Sequence, residues 1–181
     1  MFKPILFQRQ RGAILVITLL FLVVLTLVAL SAVNTGTMEE RMARNSRDYN
    51  VALQATEAAL ADGRADLSGA GTLSTRNPVI INDVGFVAAC TDGLCTPAAS
   101  GSAVWEVETN WTDFTKSVGY GTYTFALQLP VVPAPGGVSQ RPRYLIETLG
   151  AVGGQWAYRI TARGWGANPS TMVMLQEEVL K

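Results

Sequence analysis

The residues best placed for chemistry form a junction near the N-terminus, where a basic leader meets an apolar segment. The junction is Arg9-Gln10-Arg11-Gly12-Ala13, and residues 13–33 after it carry no charged side chain. An ordinary secretory signal has its small-residue cleavage site on the far side of its apolar part. Here the glycine comes first, so a cut after Gly12 would leave an apolar helix at the new N-terminus, Ala13.

A second reactive pair, Cys90 and Cys95, encloses the four residues Thr91-Asp92-Gly93-Leu94. An Asp-Gly step favours a tight turn that brings two thiols together, and an exported compartment would oxidise them. We therefore expect a Cys90-Cys95 disulfide, with a pair of unreactive free thiols as the alternative. Two cysteines in a chain without histidine cannot fill the four positions of a structural zinc site, so no metal is expected.

Catalytic chemistry has little support in this sequence. The chain has no histidine, the most frequent general base. Lys116 beside Ser117 is mere adjacency, and Glu177 and Glu178 would point to opposite faces of a strand. A Ser-Lys or paired-carboxylate site stays open on sequence grounds, but no motif singles one out. The sequence predicts a non-enzyme without catalytic residues or cofactors.

Residues 13–33 are long enough to cross a membrane. As a helix they would extend about 31 Å at about 1.5 Å per residue, close to the ~30 Å hydrocarbon core of a bilayer. Lys3, Arg9 and Arg11 precede them, whereas the basic residues beyond the span are offset by acids. This asymmetry predicts that the leader lies inside and the following domain outside. The 14 basic and 14 acidic residues balance, and no basic patch of the kind that binds nucleic acid is evident.

The rest of the chain predicts one α+β domain on this anchor. We expect a helix over residues 13–66, with a transmembrane half (13–33) and an amphipathic half (34–66). Its apolar stripe should pack on a sheet through these residues: Met38, Met42, Tyr49, Leu53, Thr56 and Leu60. Residues 67–181 should form the globular domain, with loops over 67–121 and an antiparallel sheet over 122–181. The expected strands are 122–129, 143–149, 156–163 and 171–179.

Three parts of the sequence resemble one family. The Gly12-Ala13 junction resembles the class III signal of type IV pilin-like proteins. Residues 38–45 (MEERMARN) and 52–60 (ALQATEAAL) resemble the helix of PilX-type minor pilins, and YRITARGWG (158–166) with VMLQ (173–176) resembles their closing strands. The resemblance implies the type IV pilin-like fold, cleavage after Gly12 by a prepilin peptidase and N-methylation of Ala13. It also assigns Glu39, Glu40, Arg41 and Arg44 to the assembly helix.

The chain departs from the wider pilin pattern at the fifth mature position, where Ile17 replaces the usual glutamate. In the family, that glutamate is thought to neutralise the N-terminal amine of a neighbouring subunit within the filament. A subunit without it fits best at the tip, where there is no earlier subunit to neutralise. The tip-type pseudopilin of type II secretion shares this absence.

The resemblance implies a minor pilin that helps initiate a type IV pilus and sits at its tip, supporting twitching motility and surface attachment. The implied partners are prepilin peptidase, other minor pilins, the major pilin, a pilus tip adhesin and the inner-membrane assembly platform. The implied location is the bacterial inner membrane with the C-terminal domain in the periplasm, and then the pilus tip at the cell surface. A tip-type pseudopilin of type II secretion and a membrane-anchored periplasmic binding domain are the alternatives.

Overall fold

A computed structural model describes residues 13–69 and 83–181 of the chain. The chain divides into two units, one over residues 1–45 and one over Ser46–Lys181, and each is considered by itself. The leader and the segment 70–82 lie outside the described residues, so the predictions that fall on them stay predictions.

One long helix, α1, extends over Ala13–Ser68, two residues beyond its predicted end. The sequence favours this helix because it has no proline and only two glycines, Gly36 and Gly63. In the first unit every described side chain of α1 is exposed, including all the large apolar residues of 13–33. Such a surface belongs in lipid or against other apolar helices rather than in water.

The second unit carries a five-stranded sheet. Its strands are β1 (Leu94–Cys95), β2 (Val118–Gly119), β3 (Arg143–Val152), β4 (Gln155–Trp165) and β5 (Met172–Leu180). Strands β3, β4 and β5 form an antiparallel meander, in which Ile146 is paired with Ile160 and Ala162 with Leu175. Both short strands pair with β3, β1 in parallel and β2 in antiparallel orientation. Three predicted strands are therefore confirmed, and a helix with a C-terminal sheet is the α+β architecture expected.

The predicted strand over residues 122–129 is wrong, because this segment forms turns and irregular backbone without a ladder partner. Two interactions with the helix hold it in place: Asp62 accepts hydrogen bonds from the Gly121 amide, at 2.7 Å, and from the Thr124 hydroxyl. Phe125 has a positive φ of 57°, which ends any extended run. The sheet of the 122–181 region therefore begins at Arg143.

The helix packs on the sheet mainly through small residues, and only the C-terminal part of the predicted stripe takes part: Thr56 is buried, and Leu60 is partly buried against the core. Met38, Met42 and Tyr49 are 66%, 67% and 52% exposed. The helix residues that are buried are Ala52, Ala55, Thr56, Ala59, Asp62, Gly63, Asp66 and Leu67. Small side chains allow the helix backbone to approach the sheet closely, which the larger residues of the predicted stripe would prevent.

Apolar residues fill both faces of the sheet. The face toward α1 carries the larger cluster, centred on Tyr144, Ile146 and Ile160. The opposite face is covered by the loops before β2, with the disulfide, Trp111 and Leu145 at the centre of a second cluster. Trp111 is only 1% exposed, so it has the packing role expected of an aromatic residue beneath a loop.

One buried carboxylate in this second unit has an unusual environment. Glu147 of β3 is 2% exposed, and no donor among the described residues reaches its Oε2 atom. Burial raises the pKa of Glu147, although the charge of Arg159 on the neighbouring strand opposes the shift. A raised pKa means that the ionised carboxylate is less favourable in the folded chain than in the unfolded chain.

We expect Glu147→Gln to raise the free energy of unfolding at pH 7 by about 1 kcal/mol, because it removes a buried charge while keeping the side-chain shape. Below the ordinary pKa of 4.5 the carboxyl is protonated in both the folded and the unfolded chain and costs no stability. As the pH rises from there through the raised pKa of the folded chain, the free energy of unfolding of the wild type falls. Thermal unfolding of both proteins from pH 4 to pH 8 should therefore show a gap that widens with pH. Glu178→Gln, an exposed acid on the same face, is the control, and an equal pH-dependent gap there would contradict this explanation.

Candidate assembly and processing site

Of the two residues that flank the predicted cleavage site, the structure describes only Ala13. Ala13 is the first residue of α1, and Gly12 lies outside the described residues. Of the described helices, α1 alone is long and apolar enough to cross a membrane. Its apolar part indicates membrane anchoring. Cleavage after Gly12 and methylation of Ala13 stay predictions.

Ile17 lies on the first turns of α1 and is 54% exposed. Aliphatic and small side chains surround it in sequence, and the first acid of the helix is Glu39. This part of the helix therefore offers no carboxylate to a neighbouring chain. The hydroxyls of Thr18 and Thr26 donate to the carbonyls of Leu15 and Val23 in the same helix, so both are satisfied within it.

The predicted charged residues of the assembly helix lie together beyond the apolar part. Arg44 and Glu40 form an ion pair at 2.5 Å with an i, i+4 spacing, and their side chains are 76% and 62% exposed. Exposed pairs of this kind contribute only about 0.3–0.5 kcal/mol, so the pair does little for stability. Glu39 and Arg41 are exposed as well. The four side chains are available for contacts with other subunits.

Asp48 joins the helix to the turn between β4 and β5. Its Oδ1 atom accepts hydrogen bonds from the Ala167 amide at 2.6 Å and the Asn168 amide at 3.2 Å. Burial works against ionisation here, but these bonds and one from Thr171 outweigh it and lower the pKa of Asp48. The sequence analysis missed this role because a helical aspartate among arginines is typical of a solvated surface.

Two further helix carboxylates, Asp62 and Asp66, are buried at 4% and 0% exposure. Asp62 holds the 121–124 turn, and burial together with the charge of Asp66 raises its pKa despite the hydrogen bonds it accepts. The Tyr144 hydroxyl donates to Asp66 Oδ2 at 2.9 Å, which ties the end of the helix to β3. Their four-residue spacing places both on the face toward the sheet, and this spacing is a signal that sequence analysis could have used.

The predicted disulfide is present between Cys90 and Cys95, whose Cα atoms are 4.2 Å apart. Asp92 and Gly93 turn the chain between them with positive φ values of 52° and 73°. Cys95 lies on β1 opposite Glu147, so the loop is attached to the sheet as well as to itself. Both cysteines are fully buried in the second cluster. The disulfide therefore shapes the base of the loops on this face.

We expect the two thiols to become available to an alkylating reagent only after reduction. Protein denatured without reductant should keep its mass in the presence of iodoacetamide, and protein reduced first should gain two labels. Intact mass spectrometry distinguishes the two cases. Labelling of both residues without reductant would contradict the assignment of an oxidised pair.

Within the described residues there is no group of three or more His, Cys, Asp or Glu residues placed to hold a metal ion. The charged side chains instead make structural contacts. Arg64 on the helix is paired with Glu177, and Arg159 with Glu178 at 2.9 Å on the opposite face of β5. The arrangement is suited to holding a helix on a sheet and presenting the apolar part of that helix to other molecules.

Comparison with protein families agrees with these features. The PilX N-terminal family matches residues 11–61, which include Gly12 and Ala13 of the junction, the apolar helix and the charged residues beyond it. The C-terminal family of the type IV pilus assembly protein PilX matches residues 91–181, which include all five strands. No match was found among curated proteins or among solved structures. Since the two family matches cover well over half of its length, the chain belongs to the PilX family of type IV pilus assembly proteins.

Proposed function

We propose that this chain is a minor pilin that helps to initiate a type IV pilus and remains at its tip. The observation that carries the tip position is the absence of any carboxylate from residues 13–33, with Ile17 in the place where most pilins have an acid. The family supports the pilus itself. The position at the tip of the pilus is a proposal that goes beyond the family.

The physical argument concerns a buried amine. Inside a filament the N-terminal amine of each subunit would lie among apolar helices, where an unpaired charge is costly. A neighbouring carboxylate offsets that cost, and this chain offers none from its apolar helix. The first subunit of a filament has no predecessor whose amine it must neutralise. The chain is therefore better suited to the tip than to the shaft.

The proposed route begins in the bacterial inner membrane, with the domain after α1 in the periplasm. Prepilin peptidase cuts after Gly12, and the apolar helix then associates with other minor pilins and the major pilin on the inner-membrane assembly platform. A pilus tip adhesin is the further partner. In this position the chain would support twitching motility and surface attachment by a structural role, without catalysis.

The tip position is tested by immunogold electron microscopy of sheared pili from the native host. We expect label at one end of each filament and none along the shaft, with a strain lacking the gene as the control for antibody specificity. Even labelling along the shaft would contradict the tip position while leaving the assignment as a pilin intact.

Ile17→Glu provides a second test. If the subunit occupies the tip, a carboxylate at this position has no amine to meet, and we expect surface piliation to be unchanged or mildly reduced. Sheared pilin measured by immunoblot reports the outcome. Loss of piliation in the Ile17→Glu strain, with normal amounts of the variant in the membrane, would argue against the tip position.

A tip-type pseudopilin of type II secretion is the second candidate, since the missing acid fits it equally well. The two are separated by a deletion of the gene in the native host. Loss of pili with normal secretion supports the pilus, and the reverse result supports the secretion system.

A further inference from the structure

A cleft of about 500 Å³ opens in the second unit between the segment after residue 113 and the start of β3. Its walls include two arginines, two glutamines and two aromatic residues: Arg141, Arg143, Gln128, Gln140, Phe114 and Tyr120. The volume lies within the range of about 300–1,000 Å³ that is typical of small-molecule sites. Neither the family nor the proposed role in the pilus assigns anything to this cleft.

The guanidinium of Arg143 is held rigidly at the inner wall. Its Nε donates to the Ser117 hydroxyl at 2.7 Å, and its Nη2 donates to the carbonyls of Ser117 and, at 3.4 Å, Phe114. Among the described residues, no acceptor takes a hydrogen bond from Nη1, which lies beside Gly119, and both Arg143 and Gly119 line the cleft. The nearby Asp113 carboxylate accepts instead from the amide and hydroxyl of Thr115. One edge of a fixed cation is therefore open to an anionic ligand.

Phe114 forms an aromatic platform over this cation. The centre of its ring lies 4.5 Å from Arg143 Cζ, and the residue is 76% exposed. One face of the ring is used by the guanidinium, so the other face is free to cover an apolar surface of a ligand. A ring this exposed contributes little to the fold, whereas its burial by a ligand would remove apolar area from water.

The surrounding donors distinguish between kinds of anion. The backbone amides of Tyr120, Gly121 and Thr122 are all occupied, by the carbonyls of Pro142 and Gly119 and by Asp62. These three amides are therefore not available to cradle a phosphate. Gln128 donates through Nε2 to the Tyr120 carbonyl at 2.7 Å, which fixes its amide and leaves Oε1 as an acceptor for a hydroxyl group.

We propose that this cleft binds a carboxylated sugar, as found in acidic polysaccharides. The carboxylate of one sugar unit accepts from Arg143 Nη1, the apolar face of the adjoining unit lies on the free face of Phe114, and the amide oxygen of Gln128 accepts from a ring hydroxyl. Arg141, which is exposed at the rim, adds a second positive charge for the carboxylate. This binding site goes beyond the proposed function. If the chain does not bind such a sugar, its assignment as a pilin is unaffected.

The test uses isothermal titration calorimetry of the full chain in detergent with digalacturonic acid, and with neutral digalactose as the matched ligand. We expect saturable binding of the acidic sugar alone. Phe114→Ala and Arg141→Gln should each weaken it by about tenfold or more, since each removes one of the recognising groups. Leu127→Ala, an apolar residue 91% exposed outside the cleft, and Arg44→Gln, an exposed arginine of α1, should bind as the wild type does.

Four results would overturn the proposal. These are no saturable binding to the wild type at millimolar sugar, equal binding of digalactose, full affinity in Phe114→Ala, and displacement of the sugar by an equal concentration of inorganic phosphate. The last result would define a general anion site. Because Phe114 and Arg141 are both exposed, we expect both variants to unfold at the same temperature as the wild type. Such a result would show that the loss of binding does not arise from a loss of structure.

Discussion

Gly164→Ala is expected to destabilise the globular unit by about 3 kcal/mol, at the upper end of the usual cost of overpacking. A Cβ atom at this position would lie 2.5 Å from Thr56 Oγ1, 2.7 Å from Thr56 N and 2.9 Å from Ala52 O. Two of these atoms belong to the backbone of α1, which cannot move aside as a side chain does. Helix and sheet would have to separate.

Thermal unfolding of the full chain in detergent, followed by circular dichroism, measures this effect. Gly36→Ala is the matched control, because nothing lies within 4 Å of a Cβ there and alanine favours a helix over glycine by up to about 1 kcal/mol. Gly63→Ala should fall between the two. Its Cβ would meet the side chains of Ile160 and Tyr144 at 2.8 Å and 3.0 Å, and side chains can adjust. Equal stability of the Gly164→Ala and Gly36→Ala proteins would contradict the close packing.

Gly12→Val is expected to leave the chain uncut and to abolish its contribution to piliation. The resemblance places the cleaved bond directly after Gly12, and a larger residue would stand in the position that the peptidase recognises. An uncut chain keeps the charged leader of Lys3, Arg9 and Arg11 next to the apolar helix, where it would hold the subunit in the membrane. Intact mass and sheared pilin report processing and piliation in the same strain.

Gln10→Val makes the same change two residues upstream and serves as the control. We expect it to be processed. Normal cleavage of the Gly12→Val chain would place the recognition elsewhere, and a cut but inactive Gly12→Val chain would separate processing from function.

The long helix and the three main strands could be predicted because their signals are local. Residues 13–66 lack proline and carry an apolar segment long enough for a membrane, while the three C-terminal strands are bounded by Gly-rich turns. The Cys90-Cys95 disulfide could be predicted in the same way, because the Asp92-Gly93 step between the cysteines favours a tight turn.

The remaining features depend on contacts between distant residues. The side chains of residues 122–129 alternate as in a strand, but hydrogen bonds from Gly121 and Thr124 to Asp62 give the segment another partner. Strands β1 and β2 have two residues each and exist only because β3 lies beside them. Pairing of this kind leaves no periodic pattern in the sequence.

The buried face of the helix was predicted only in part, at Thr56 and Leu60, for a related reason. Large apolar residues such as Met38 and Met42 suggested a contact with the sheet, and yet they are exposed. The contact is made largely by alanines, Thr56 and Gly63. Their small size becomes informative only once it is known that Gly164 lies against α1 and that Ile160 lies against Gly63. The exposed Met38 and Met42 continue the apolar surface available to other subunits.

The candidate cleft shows the same dependence. Phe114, Gln128 and Arg143 are far apart in sequence, and the hydrogen bonds that fix Arg143 are accepted by Ser117 and Phe114. No motif in the sequence distinguishes Phe114 from Trp105 and Trp111, the other aromatic residues in this stretch. Its exposure, in contrast to the burial of Trp111, is what marks it for binding.

The most direct test of the central claim is the mass of the mature N-terminus. The chain should be isolated from the membrane fraction of its native host and analysed as intact protein and as its N-terminal peptide. A chain that begins at N-methylated Ala13 is the predicted result and would establish that a prepilin peptidase processes it. A chain that retains residues 1–12 in cells with an active peptidase would contradict the account and favour a simple anchored domain.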